Sequence, residues 1–202
     1  MYCKNANCRK QDCSIGCYGR RHQCIDKGDG LIMAVLRLIR NTYRNQTAPE
    51  NVINYCLNPQ KMPNNCYGGH GISLFDPYSS IMSIKNIFCH NYGKQLEHFV
   101  LSFDKDEIPN LSIPKILHLS YAICEFFEGN QVLFALHETD DKSGISDVYE
   151  FHPHIHFVMN TTNVNSQNKT RIDFCNEYTL KRYVGALLSD FGITEKLIMG
   201  FY

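Results

Sequence analysis

The stretch HPHIHFVMN, residues 152–160, sets histidine at every second position from 152 to 156 and then runs on in apolar residues. Period-2 alternation fits an extended strand, whose side chains point to opposite faces in turn. His152, His154 and His156 then share one side, while Ile155, Phe157 and Met159 form the other. Histidines two apart on a strand lie about 6.5 to 7 Å apart along it, near enough for two imidazoles to converge on one ion. Pro153 lacks the N–H that a central ladder needs, so the strand is expected to begin after it and to leave His152 at the mouth.

QVLFALHE, residues 131–138, reads as the strand before it. If this strand pairs antiparallel with 154–162, its end brings His137 alongside His154 and His156. Three imidazole nitrogens leave coordination positions open, as a catalytic metal requires. Two other readings stand beside this one. The histidines could form a polar face without a metal, or a structural zinc site closed by Asp140 or Asp141.

The remaining segments supply the scaffold. DGLIMAVLRLIRNTYRN (29–45) has apolar residues recurring at three and four, with Asp29 able to cap, and predicts a helix. NVINYCLNPQKMPNN (51–65) reads as a helix or strand end running into a turn at Asn58-Pro59. PYSSIMSIKNIFCHN (77–91) predicts a helix with Pro77 in its first turn, and HFVLSF (98–103) a strand. SIPKILHLSYAICEFFEGN (112–130) predicts a helix from near Pro114 to Gly129, and YTLKRYVGALLSDFG (178–192) a closing helix ended by Gly192. The order implies an α+β fold: a central antiparallel sheet that carries the histidine motif, with helices packed on one face.

At 202 residues the chain suits one domain with a small appendage. Residues 1–28 read as a cysteine-rich basic arm and 29–202 as the domain. Cys3, Cys8, Cys13, Cys17 and Cys24 crowd the arm without any C-x-x-C pair. They could hold a structural Zn²⁺, with His22 among the ligands, or be reduced thiols. Cys56, Cys66, Cys89, Cys124 and Cys175 are scattered singly and read as small core or partly buried residues. The net charge of zero is unevenly spread: residues 1–44 carry nine Lys/Arg against three acids, and 101–150 carry three against ten. The basic end is the natural phosphate-facing surface, although Arg37, Arg40 and Arg44 also fit the solvated side of the expected helix. No run approaches the roughly 18 apolar residues of a membrane span. The N-terminus lacks the basic-then-apolar order of a secretory signal, so a cytoplasmic location is expected.

HPHIHFVMNTTN (152–163) resembles the HUH motif of conjugative mobilisation relaxases of the MobP/VirD type. LFALHETD (133–140) is similar to the preceding strand whose last histidine supplies another ligand. EHFVLSFDKDE (97–107) is similar to the strand ending in Ser-Phe before the long helix. NVINYCLNPQKM (51–62) is similar to the family's early segment, a tyrosine followed by Asn-Pro-x-Lys. The four stretches keep the family's order over residues of roughly 50 to 165. Rolling-circle replication initiators carry their tyrosine after the histidines, whereas here Tyr55 precedes them, as in relaxases. The resemblance departs at two points, one of them a loop from 139 to 151 longer than the family's. The family's acid two residues after the first histidine is replaced by Thr139, between Glu138 and Asp140, so the acid that orients His137 is left open.

The resemblance implies an HUH relaxase-like fold with a split βαβ core. It implies metal-dependent nicking of single-stranded DNA and strand transfer at a plasmid or mobile-element transfer origin. In that reading Tyr55 attacks the scissile phosphate and forms a 5′-phosphotyrosine, while His137, His154 and His156 hold Mn²⁺ or Mg²⁺. Accessory relaxosome and coupling proteins would be partners, with no membrane involved. Tyr43, Tyr67 and Tyr78 compete with Tyr55, which is singled out by the Asn58-Pro59-x-Lys61 that follows it. The alternative is a cleavage-inactive or accessory DNA-binding module of the same fold.

Overall fold

Period-2 burial organises the domain around its sheet. The computed structural model describes residues 34–41, 43–104, 108–109, 111–139, 151–193 and 197–200, with 139, 151, 152, 174, 199 and 200 described by their backbone alone. The cysteine-rich arm, His22 and the loop holding Asp140 and Asp141 lie outside the described residues. The elements are β1 (Ala34–Leu38), α1 (Ala48–Cys56), β2 (Tyr67–His70), α2 (Pro77–Ile87), β3 (Leu96–Ser102), α3 (Ile113–Cys124), β4 (Asn130–Thr139), β5 (Phe151–Asn163), α4 (Phe174–Asp190) and β6 (Leu197–Gly200). The six strands form one sheet in the order β2-β4-β5-β3-β1-β6. Every neighbouring pair is antiparallel except β1 with β6, so the expected antiparallel α+β sheet gains a parallel edge.

The odd residues of β5, Ile155, Phe157 and Met159, face the larger core with Val132, Phe134 and Leu136 of β4 and Phe99 and Leu101 of β3. Phe99 stacks on Phe157 at a ring separation of 4.7 Å. Ile116, Leu119 and Ile123 of α3 and Leu180, Val184 and Leu188 of α4 close over this face. Both helices start at a side-chain cap: Ser112 accepts from the Lys115 N–H, and Asp173 from that of Asn176. The other face is covered too, contrary to the one-sided packing expected. Val52, Ile53 and Cys56 of α1 and Ile81 of α2 pack on Leu96, Leu133, Ala135 and Val158. Helix α2 is expected and the α1 segment fits either a helix or a strand end, but nothing in their sequences fixes which face they cover.

Three local expectations are corrected. Residues 34–38, expected to be helical, form strand β1, where Ala34, Leu36 and Leu38 are buried and Val35 and Arg37 half-buried. A run that is apolar at nearly every position satisfies both periods, and pairing with β3 and β6 decides between them. β5 does not begin after Pro153 but runs through it. His137 pairs with His154 and Thr139 with Phe151, so two residues of β5, His152 and Pro153, oppose Glu138 alone. Such a bulge leaves a residue without a ladder partner, which suits a proline. Strands β2 and β6 were not foreseen. β2 reads YGGH, and the glycines are needed there because a Cβ on Gly68 would lie 2.4 Å from the Phe134 ring.

Candidate active site

Residues directly opposite on antiparallel strands share a face, so the register places the site. His154 lies opposite His137 of β4 and Ser102 of β3, and His156 opposite Ala135 and Val100. Facing nitrogens of His137, His154 and His156 all lie within 4.8 Å of one another. Ring centres are 4.3 Å apart for His137 and His156, 5.4 Å for His137 and His154, and 5.0 Å for His154 and His156. His137 and His156 are buried, and His154 sits at the edge of burial. The side chain of His152 lies outside those described.

Helix α1 brings Tyr55 to this cluster. Pro49 starts the helix, and the inward stripe of Val52, Ile53 and Cys56 leaves Tyr55 on its rim, 38% exposed. The Tyr55 ring centre lies 5.6 Å from that of His137 and 5.4 Å from that of His156. The turn after α1 explains the Asn-Pro-x-Lys sequence. Asn58 accepts from the Gln60 N–H through its side chain, and its carbonyl accepts from the Lys61 N–H, so the chain folds back within four residues. Lys61 thereby places its Nζ 3.9 Å from the centre of the Tyr55 ring.

The group that orients His137 is no acid among the described residues. Its Nε2–H donates to the carbonyl of Cys56 at 2.8 Å, so in the neutral ring Nδ1 is the nitrogen that carries the lone pair. Glu138 instead accepts from Asn64, and its N–H donates to the Lys61 carbonyl. Thus the nucleophile candidate's neighbour in sequence holds a ligand candidate.

A fourth imidazole, His98 of β3, was missed in the sequence. It shares the face because it pairs with Val158, two residues along from His156, and its Nε2 lies 2.9 Å from His156 Nδ1. On its other side, Nδ1 lies 3.0 Å from the Tyr43 hydroxyl. The alternation in Leu96, His98 and Val100 was the available signal. Burial, then the charge of His137, pushes His98 down to about 4. Burial, then His98, His137, His154 and Lys61, holds His156 well below the ordinary histidine range. Both rings are therefore neutral at pH 7, the state in which imidazole binds a metal. His156 Nε2 is buried and has no hydrogen-bond partner among the described residues. An oriented His137 and an unmet lone pair on His156 fit a divalent ion.

The other sequence candidates lie apart or have other partners. Tyr43 is engaged with His98, Tyr67 lies on strand β2, and Tyr78 packs against the smaller core. Cys56, Cys66 and Cys124 are buried as expected, whereas Cys89 and Cys175 are exposed. Arg40 follows a strand and pairs with the buried Glu177 of α4, so it does not belong to the solvated face of a helix.

Residues 55–193 match a family model described as the nuclease domain of MobA/VirD2-like relaxases. The chain belongs to that family. No curated protein and no solved structure matches it. The match begins at Tyr55 and covers the paired strands β4 and β5. Membership in a relaxase nuclease family assigns this domain to DNA nicking in general and to binding of single-stranded DNA. Relaxases depend on a metal, and the buried histidines here could hold one. No helix among the described residues is long and apolar enough to cross a membrane.

Proposed function

We propose that this relaxase domain nicks and transfers one DNA strand at a transfer origin, with Tyr55 as nucleophile and His137, His154 and His156 as ligands of a divalent ion. The observation that carries the reading is the meeting of Tyr55 with two of those histidines at ring separations of 5.4 and 5.6 Å. A bound divalent ion supplies Lewis-acid polarisation of the scissile phosphate. Three imidazoles suit manganese better than magnesium, which accepts such a set when phosphate oxygens complete its shell.

The residues of the chain do the rest. A phenol with an ordinary pKa near 10 is a weak nucleophile at pH 7. Lys61, with its Nζ over the Tyr55 ring, sets a positive charge beside the phenol as its oxygen becomes anionic. The Tyr55 oxygen bonds to phosphorus, the bond to the 3′ oxygen breaks, and that oxygen takes up a proton in place of the one the phenol lost. The product is a 5′-phosphotyrosine and a free 3′ hydroxyl. Because one phosphodiester replaces another, a new 3′ hydroxyl can reverse the step. Arg37 shares the histidine face, opposite Val100, and puts a further cation on the DNA side. Accessory relaxosome and coupling proteins are the partners such transfer needs.

The test uses Mn²⁺ and a single-stranded oligonucleotide carrying the origin. Wild-type protein should gain the mass of the 3′ fragment on the peptide containing Tyr55. Tyr55→Phe should keep its fold and oligonucleotide affinity and lose cleavage, since misplacing a reacting group by about 1 Å already costs around a hundredfold. His154→Ala and His156→Ala should abolish nicking, and His152→Ala should do less. Binding without cleavage in the wild type would mark an accessory DNA-binding module, and cleavage without an adduct would mark hydrolysis by water.

A further inference from the structure

The Tyr43–His98–His156 chain crosses three parts of the fold: the segment after β1, strand β3 and strand β5. Two of its three members, His98 and His156, are buried, and Tyr43 is half-buried. Tyr43 is held in an unfavourable backbone conformation, φ 40°, with its carbonyl accepting from the Gln95 N–H. A non-glycine residue keeps such a conformation only where its surroundings impose it.

A chain of two imidazoles and a phenol can carry its protons in either of two directions. In one, the Tyr43 O–H donates to His98 Nδ1, His98 Nε2–H donates to His156 Nδ1, and His156 must carry its remaining proton on Nε2. That atom is buried without a partner, so an N–H would be stranded, at a cost of about 1–3 kcal/mol. In the other, His156 Nδ1–H donates to His98 Nε2, and His98 Nδ1–H donates to the Tyr43 oxygen. The Tyr43 O–H is then the end of the chain, on a half-buried residue, where a water can accept it. His156 Nε2 is the fully buried end and half-buried Tyr43 the other, and only the second direction puts the unmet hydrogen at the less buried one.

We propose that Tyr43 and His98 are positioning residues that fix His156 as the Nδ1–H tautomer, aiming its Nε2 lone pair at the ion. This rests on the reading of His156 as a ligand, but the tautomer itself can be read without any metal. His98 touches neither DNA nor ion in this role. It acts through His156, as hydrogen-bond partners behind metal-bound histidines do, and losing such a partner weakens metal affinity by about 10–100-fold.

The experiment combines ¹⁵N-resolved NMR of the histidine rings with Mn²⁺ titration of the full chain, for wild type, His98→Leu, His98→Gln and Tyr43→Phe. Metal-free wild type should show His156 protonated on Nδ1. His98→Leu should bind Mn²⁺ about 10–100-fold more weakly. His98→Gln should recover most of that loss, because its amide oxygen still accepts from His156 Nδ1–H. Tyr43→Phe, which only deletes a hydroxyl, should fold normally and weaken Mn²⁺ binding less than His98→Leu. A merely structural role for His98 would not make glutamine better than leucine in a buried site. His156 protonated on Nε2 in the wild type, or equal Mn²⁺ affinity for His98→Leu and wild type, would overturn the proposal. A wild type that binds no Mn²⁺ while His156 is protonated on Nδ1 would instead overturn the ligand set and leave the tautomer assignment standing.

Discussion

Lys85 of α2 has no exposed surface, and among the described residues its ammonium donates to one side chain, the Thr161 hydroxyl at 3.3 Å. Burial, then the like charge of Lys169, pushes it down from 10.5 to about 7. The folded pKa is below the unfolded one, so between these values the unfolded chain binds the extra proton. Stability then rises with pH across that window, and the penalty is fully present below its lower edge. Two-state linkage gives a gain of about 2 kcal/mol from pH 7 to pH 9. Lys85→Met keeps the length and removes the amine, while Thr161 still donates to the Lys94 or Gln95 carbonyl. At pH 7 the variant should be more stable by about 2–4 kcal/mol, in line with other replacements of buried charge. Urea unfolding of both proteins at pH 7 and pH 9 measures the effect, and the paired comparison cancels other groups that titrate there. The gap should close by about 2 kcal/mol at the higher pH. A gap that does not change with pH, or a variant less stable at both, would refute a desolvated cation at this position.

Gly68→Ala should destabilise the domain by about 1–3 kcal/mol in thermal melts, because its new methyl would meet the Phe134 ring at 2.4 Å and the Tyr121 hydroxyl at 2.8 Å. Deleting residues 1–30 spares β1 and removes six Lys/Arg and three acids. If that arm touches DNA, the log–log salt dependence of single-strand binding should flatten by about 0.7 for each phosphate the shortened chain no longer neutralises. An unchanged slope would place the DNA surface wholly on the folded domain.

The sequence was most legible where one period excluded the other. Histidine at 152, 154 and 156 with apolar residues between could only be alternating, and β5 follows it. Residues 31–39 are apolar at nearly every position, so local pattern could not separate helix from strand, and the long-range pairing with Val100 and Leu101 decided. His98 went unread for a related reason: its role depends on a register between β3 and β5 that no local window contains. For His137 an acid is expected from side-chain types, whereas among the described residues a main-chain carbonyl, that of Cys56, holds its Nε2. Side-chain identity says nothing about where a carbonyl points.

Among the described residues, the bond to that carbonyl and two further hydrogen bonds join the segment 56–64 to the end of β4. The Lys61 carbonyl to the Glu138 N–H and the Asn64 side chain to the Glu138 carboxylate are the others. They sew the residues flanking Tyr55 to the strand that carries His137. In a transesterase with Tyr55 as its hook, the cut end would hang from an anchorage instead of a swinging arm. Rejoining would then be a problem of delivery: the incoming 3′ end must travel to a stationary tyrosine, and the DNA, not the protein, must supply the travel.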